Sequence, residues 1–291
     1  MPKKKEKTTS KIKWLQRLFA VAGNIAPKTT LRVLVKLMYT PTKRELKPAH
    51  IECLSKAEKF NFVVQEFRNP KKKLKLSCYS WGKSDKTVLL VHGWDAKALD
   101  FYKMIPVLVA NGYKVIAFDG PGHGVSDGER SNLVDFKEVM LRMIKEKIGL
   151  PYAVIGHSMG GGAATYLLMD YDIKVKRLVT ITIPTVSKRF FEGMFAAMKA
   201  PVKMQKVFFN AMSEEFGEPI EKYNLIERKD PIKADDILWI YDEDDEIVPI
   251  KDIRDFLARR PQIKQLNVKG VGHYSVIKNK HVIDEIVAFL K

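Results

Sequence analysis

Cysteine is almost missing from this chain. Cys53 and Cys78 are the only two in 291 residues, too few for a disulfide framework and without the paired spacing of a zinc site. A reducing, cytoplasmic setting is the expectation from that usage. No run of about 18 consecutive apolar residues occurs, so no segment reads as a membrane-spanning helix. Acidic residues are scarce in one region only. Residues 1–80 hold 20 Lys/Arg against 5 Asp/Glu, whereas residues 81–291 hold 31 against 29. The net charge of +17 is therefore a property of the N-terminal region. Such a segment attracts anionic surfaces through long-range electrostatics, or else serves as a solvated arm. It contains no recognisable base-reading module, so nucleic acid is not expected as a partner.

Residues 1–13 have the charge of a signal-peptide n-region, but Gln16 and Arg17 interrupt the apolar run that follows. Trp14, Leu15, Leu18 and Ala22 instead share one face of an amphipathic helix. A second such stretch, Leu31–Tyr39, carries Arg32 and Lys36 four residues apart. Residues 1–59 are accordingly read as a basic helical extension. Residues 1–40 are a candidate contact for an anionic membrane surface, which would make the location peripheral; the competing reading packs the apolar stripes onto the same chain.

From residue 60 onward, short β-branched runs alternate with helical patterns. Strands are expected at Phe62–Phe67, Leu74–Trp81, Thr87–Val91, Lys114–Asp119, Tyr152–Ile155, Arg177–Ile183, Ile237–Tyr241 and Lys264–Val268. Helices are expected at Leu99–Asn111, Leu133–Ile148, Gly161–Tyr171, Lys251–Arg260 and His281–Leu290. Alternation of this kind indicates an α/β class with a parallel sheet covered on both faces, preceded by an antiparallel hairpin. The rhythm breaks over residues 184–234, where Pro184, Pro201, Pro219 and Pro231 punctuate helical stretches. That segment concentrates Phe190, Phe191, Met194, Phe195, Met198, Met204, Phe208, Phe209, Met212 and Phe216. Some of these fasten the segment to the rest, and the others suit an adaptable apolar ligand surface.

The motif that carries chemistry is Gly156-His157-Ser158-Met159-Gly160. It follows the apolar strand Ala153-Val154-Ile155 and opens a helix at Gly160-Gly161-Gly162, the strand–turn–helix setting a nucleophile elbow requires. A serine hydroxyl needs a base to remove its proton. His273, in Gly270-Val271-Gly272-His273-Tyr274, follows the last strand and suits that role. His157 lies inside the elbow, His92 and His123 in glycine-rich turns, His50 in the extension and His281 on the last helix. The histidine in turn needs a carboxylate. The acidic turn Asp242-Glu243-Asp244-Asp245-Glu246 follows a strand, and Asp245, four residues before Pro249, is the first choice. Asp242 and Asp244 stay open. The order Ser, Asp, His places each group at the C-terminal end of a different strand, where open parallel sheets bind ligands. Backbone donors for an oxyanion are expected from Met159, next to the nucleophile, and from Trp94 in the loop after the third strand.

Val88-Leu89-Leu90-Val91-His92-Gly93-Trp94, Phe118-Asp119-Gly120-Pro121-Gly122-His123-Gly124-Val125-Ser126, the Ser158 elbow, Asp245-x-x-Val248-Pro249 and Gly272-His273 together resemble the α/β-hydrolase superfamily. They are most similar to its bacterial esterase, lipase and lysophospholipase-like members. The resemblance spans about residues 60–291 and implies the α/β-hydrolase fold: a mostly parallel eight-stranded sheet, helices on both faces, and a small helical cap inserted at about 184–234. It implies Ser158 as nucleophile, Asp245 as acid, His273 as base, and Trp94 and Met159 as oxyanion donors. The implied reaction is hydrolysis of a small-molecule ester with an apolar acyl group, with thioesters and amides as alternatives and neither cofactor nor metal required. The basic extension departs from the family's core pattern.

Overall fold

The computed structural model describes residues 21–67 and 69–291, and the expected helix at 14–23 lies outside this range except for its last turn, which is helical. Helices are α1 (Pro27–Tyr39), α2 (Pro48–Ser55), α3 (Met104–Ala110), α4 (Leu133–Met143), α5 (Met159–Asp170), α6 (Ser187–Ala197), α7 (Val202–Phe216), α8 (Ile250–Ala258) and α9 (Lys280–Leu290). Strands are β1 (Glu58–Glu66), β2 (Asn69–Trp81), β3 (Thr87–Val91), β4 (Lys114–Phe118), β5 (Ala153–His157), β6 (Val175–Ile181), β7 (Ala234–Asp242) and β8 (Lys264–Val268). They form one eight-stranded sheet in the order β1-β2-β4-β3-β5-β6-β7-β8. The β1–β2 and β2–β4 pairings are antiparallel and the rest parallel.

The apolar runs of the central strands reflect burial on both faces. Val88 and Leu90 of β3 enter one core cluster, with Val115 and Ala117 of β4 and Ile155 of β5. Leu89 and Val91 enter the other, with Ile116, Phe118 and Val154. The period of two thus sends neighbours to opposite sides, and neither side is free for a polar residue. The first cluster is completed by α3 and α9 through Leu108, Ile286 and Leu290, and the second by α4 and α5 through Phe136, Met140 and Leu167.

One expected helix is corrected. Leu99–Asn111 is not continuous: a short 3-10 turn, Ala98–Phe101, is followed by a break and then by α3. Pro106 explains the break, because it has no N–H for a bond to the preceding turn and fits only near the start of a helix.

The described chain divides into two compact units. The larger comprises Thr40–Thr185 and Lys229–Lys291, and so holds the whole sheet; the smaller comprises the chain up to Tyr39 and Val186–Arg228. Residues 40–59 therefore pack with the sheet. In the smaller unit, Phe195, Met204, Phe208, Met212 and Phe216 are buried, with Phe208 edge-on to Phe191 and Phe195. Half of the apolar residues noted in this segment are thus its own core. Phe190, Phe191, Met194, Met198 and Phe209 are half-buried.

Candidate active site

Ser158 stands between β5 and α5 with φ 50° and ψ −124°, a left-handed backbone that costs a non-glycine residue about 1–3 kcal/mol. The conformation is held by hydrogen bonds on either side: Ser158 N–H donates to the Ile181 carbonyl (2.9 Å), and Gly162 N–H to the Ser158 carbonyl (3.0 Å). Two glycines make the turn sterically feasible. A Cβ on Gly156 would lie 2.4 Å from Gly161 Cα, and one on Gly160 would lie 2.3 Å from the His92 carbonyl oxygen.

Strand adjacency brings the other groups to this point. β7 and β8 are neighbours, and their C-terminal ends carry Asp245 and His273. His273 Nδ1 donates to Asp245 Oδ2 at 2.8 Å, and its Nε2 is 3.0 Å from Ser158 Oγ. A carboxylate can only accept, so Nδ1 carries the proton in this arrangement and Nε2 is left to accept from the serine hydroxyl. Asp245 is fixed in turn by Ile247 N–H (2.8 Å) and Val248 N–H (3.0 Å) on its Oδ1. The side chains of His273 and Asp245 are 5% and 1% exposed, so the pair works away from bulk water.

Asp242, left open as the acid from sequence, does something else. It is wholly buried, and its carboxylate accepts from Asp244 N–H (3.0 Å), Gly270 N–H (2.9 Å), Val271 N–H (2.7 Å) and Gly272 N–H (2.6 Å). Burial opposes its ionisation, but these backbone donors outweigh burial and hold the carboxyl below its ordinary range. Asp242 thereby anchors the loop that ends in His273. Asp244 shows no bond to His273 among the described residues.

The loop after β3 lies against the elbow, because β3 and β5 are adjacent. A Cβ on Gly93 would be 2.9 Å from Ser158 Cβ, and Gly93–Ala96 closes a turn with Trp94 and Asp95 at its centre. Met159 is the first residue of α5, so its N–H is among the donors that a helix leaves without an internal acceptor. Positive helix-dipole character accumulates at that end.

Three residues given no catalytic role from the sequence brace the backbone around these groups. His157 Nε2 donates to the His273 carbonyl (2.8 Å) and so supports the backbone of the neighbouring loop from within the elbow. His92 Nδ1 donates to the Gly93 carbonyl (2.7 Å), while its Nε2 accepts from Gly120 N–H (3.0 Å). Asp119 accepts from Ala98 N–H (2.9 Å), Val125 N–H (3.1 Å) and Tyr79 Oη (3.1 Å), tying its own loop to β2 and to the 3-10 turn; burial pushes its carboxyl up despite these donors. Among the described residues no group of three or more His, Cys, Asp or Glu could hold a metal ion, and no helix is long and apolar enough to cross a membrane.

A model of the alpha/beta hydrolase fold family matches residues 86–209, which include the β3 loop and the Ser158 elbow. The chain has the alpha/beta hydrolase fold. It is 25% identical to a serine hydrolase-like protein of Danio rerio over 235 residues, 78% of this chain and 70% of that protein. It is 27% identical over 177 residues to a 2-hydroxy-6-oxononadienedioate/2-hydroxy-6-oxononatrienedioate hydrolase of Paraburkholderia phymatum, 52% of this chain and 60% of that one. An esterase of Pyrococcus furiosus superimposes with a TM-score of 0.60 at 22% identity, covering 87% of this chain and 96% of its own. At such identity the likeness to that esterase carries the fold, and the reactions named are those of the relatives.

Proposed function

We propose that this chain is a serine hydrolase of the α/β-hydrolase superfamily that cleaves carboxylic esters bearing an apolar acyl group. The observation that carries the reading is the relay Asp245–His273–Ser158, with steps of 2.8 and 3.0 Å. Ser158 Oγ attacks the ester carbonyl while His273 Nε2 takes its proton, and Asp245 stabilises the imidazolium that results. The Trp94 and Met159 N–H groups receive the oxyanion. His273 then protonates the departing alcohol. A water molecule, deprotonated by the same nitrogen, hydrolyses the acyl-enzyme and returns Ser158. The ten Phe and Met residues concentrated in the sequence over 184–234 favour an apolar acyl group.

A panel of p-nitrophenyl esters from acetate to decanoate tests this. The proposal expects kcat/KM to rise with chain length to an optimum beyond acetate and to vanish in Ser158→Ala. A steep fall beyond acetate would remove the apolar-acyl reading, and a higher rate on matched thioesters or amides would move the assignment to those bonds.

A second reading concerns place rather than reaction. Val21, Ile25 and Val33 are 61%, 79% and 52% exposed, and exposed Arg32 and Lys36 recur with them at helical spacing. An exposed face of mixed aliphatic and basic residues, behind a strongly basic first stretch, supports peripheral contact with an anionic membrane.

A further inference from the structure

Residues 40–47 connect α1 to α2 in sequence without helix or strand of their own. This strap is bound to the loop after β3 by four hydrogen bonds. Asp95 accepts from Thr42 N–H (2.7 Å) and from Arg44 Nη2 (3.3 Å). Lys97 Nζ donates to the carbonyls of Arg44 (2.6 Å) and Glu45 (3.0 Å). Neither partner is an ordinary surface residue. Lys97 is only 5% exposed, and a buried ammonium requires acceptors for its protons; both acceptors that Nζ meets here are strap carbonyls. Asp95 holds φ 56°, a left-handed backbone that a non-glycine residue keeps only where its surroundings over-determine it. Its carboxylate bonds to the strap add to the long turn bond from Ala96 N–H to the Gly93 carbonyl (3.4 Å). Trp94 precedes Asp95, and Gly93 abuts Ser158.

We infer that the strap is a positioning device for the oxyanion donor: Thr42, Asp95 and Lys97 hold the turn Gly93–Ala96 so that the Trp94 N–H is aimed before substrate arrives. The inference rests on the serine-hydrolase reading above. It makes part of the N-terminal region, which departs from the family's core pattern, a contributor to catalysis. Asp95, Lys97 and Thr42 are positioning residues, since none touches the reacting atoms.

The test compares Asp95→Gly, Asp95→Asn and Lys97→Met in the full chain, using p-nitrophenyl butyrate turnover and inhibition by butylboronic acid, which adds to the serine as a tetrahedral adduct. Glycine accepts the left-handed backbone freely but provides no acceptor, whereas asparagine tolerates that backbone and still accepts Thr42 N–H. Asp95→Gly and Lys97→Met should lower kcat about 10- to 100-fold with KM nearly unchanged, less than the roughly 100- to 1,000-fold cost of losing an oxyanion donor outright, because the N–H is misaimed rather than removed. The boronate inhibition constant should rise by the same factor. Asp95→Asn should recover most of the loss, and Lys97→Met keeps the test open if Asp95→Gly does not fold. Turnover of Asp95→Gly equal to the unaltered chain would overturn the inference. So would a loss of turnover with boronate affinity intact. If the unaltered chain neither turned over the ester nor bound the boronate, the serine reading itself would fall, and the strap's role with it.

Discussion

Two aspartates three positions apart compete in the sequence as partners of His273, and their different work in the structure can be separated by two amide substitutions. Asp242 accepts four backbone N–H groups, two on each carboxylate oxygen. In Asp242→Asn one oxygen becomes an NH2 group. Whichever way the amide turns, two N–H donors face another donor. A buried donor without an acceptor costs about 1–3 kcal/mol, so the substitution should cost about 2–6 kcal/mol. For a chain of this size that is a fall in melting temperature of at least about 3 °C. In either orientation the released donors include at least one of residues 270–272, immediately before His273, and a misplacement of about 1 Å at a reacting group costs about 100-fold in rate. Asp245→Asn acts otherwise. Its Oδ1 can keep Ile247 and Val248, but the NH2 then faces His273 Nδ1 and selects the tautomer whose Nε2 is already protonated. That tautomer cannot accept from Ser158, and a loss of about 10,000-fold in kcat is expected with a smaller change in melting. Thermal melts and p-nitrophenyl butyrate kinetics on both variants decide the matter. The reasoning is refuted if Asp242→Asn melts and turns over like the unaltered chain, or if Asp245→Asn retains more activity than Asp242→Asn.

Burial pulls His92 down to about 4, and His123 and His157 down to about 3, from the ordinary 6.5. The unfolded chain takes up these protons near pH 6.5 and the folded chain does not, so stability is complete above that pH and falls below it. The slope is up to about 1.4 kcal/mol per pH unit for each histidine, and a melting temperature that holds level from pH 7.5 to pH 5 would contradict it. Gly160→Ala places a methyl 2.3 Å from the His92 carbonyl oxygen, so it should lower the melting temperature and reduce turnover at least about 100-fold; a fully active variant would show that the elbow has slack. Membrane contact by residues 1–40 predicts sedimentation with phosphatidylserine vesicles, and its loss with phosphatidylcholine vesicles or in about 1 M salt, where the screening length is about 3 Å. Binding that ignores both lipid charge and salt would exclude the electrostatic account.

Much of the fold was legible because its signals are local. The continuous apolar runs at Val88–Val91 and Ala153–Ile155 mark strands buried on two faces, and both lie in the centre of the sheet. The elbow was legible because its glycines answer a steric demand, visible as the contacts a Cβ would make at Gly156 and Gly160. Sequence spacing put Asp245 first but left Asp242 and Asp244 open, since the roles are separated by strand-end geometry and by which carboxylate meets the backbone of residues 270–272. The strap was hidden for a similar reason: its partners are 51 to 53 residues away, and backbone carbonyls leave no trace in side-chain pattern. Pro106 was legible as a residue, but its effect on α3 depended on where the helix began. The apolar residues of 184–234 split between a core and half-buried positions, a division that periodicity alone did not make.

The most direct test of the central claim is labelling of the intact chain with a fluorophosphonate, which reacts with an activated serine, followed by peptide mass spectrometry. A single adduct on the peptide containing Ser158, absent in Ser158→Ala and much slower to form in Asp245→Asn, is the result this account predicts. An adduct on another residue, or equal labelling of Ser158→Ala, would contradict it.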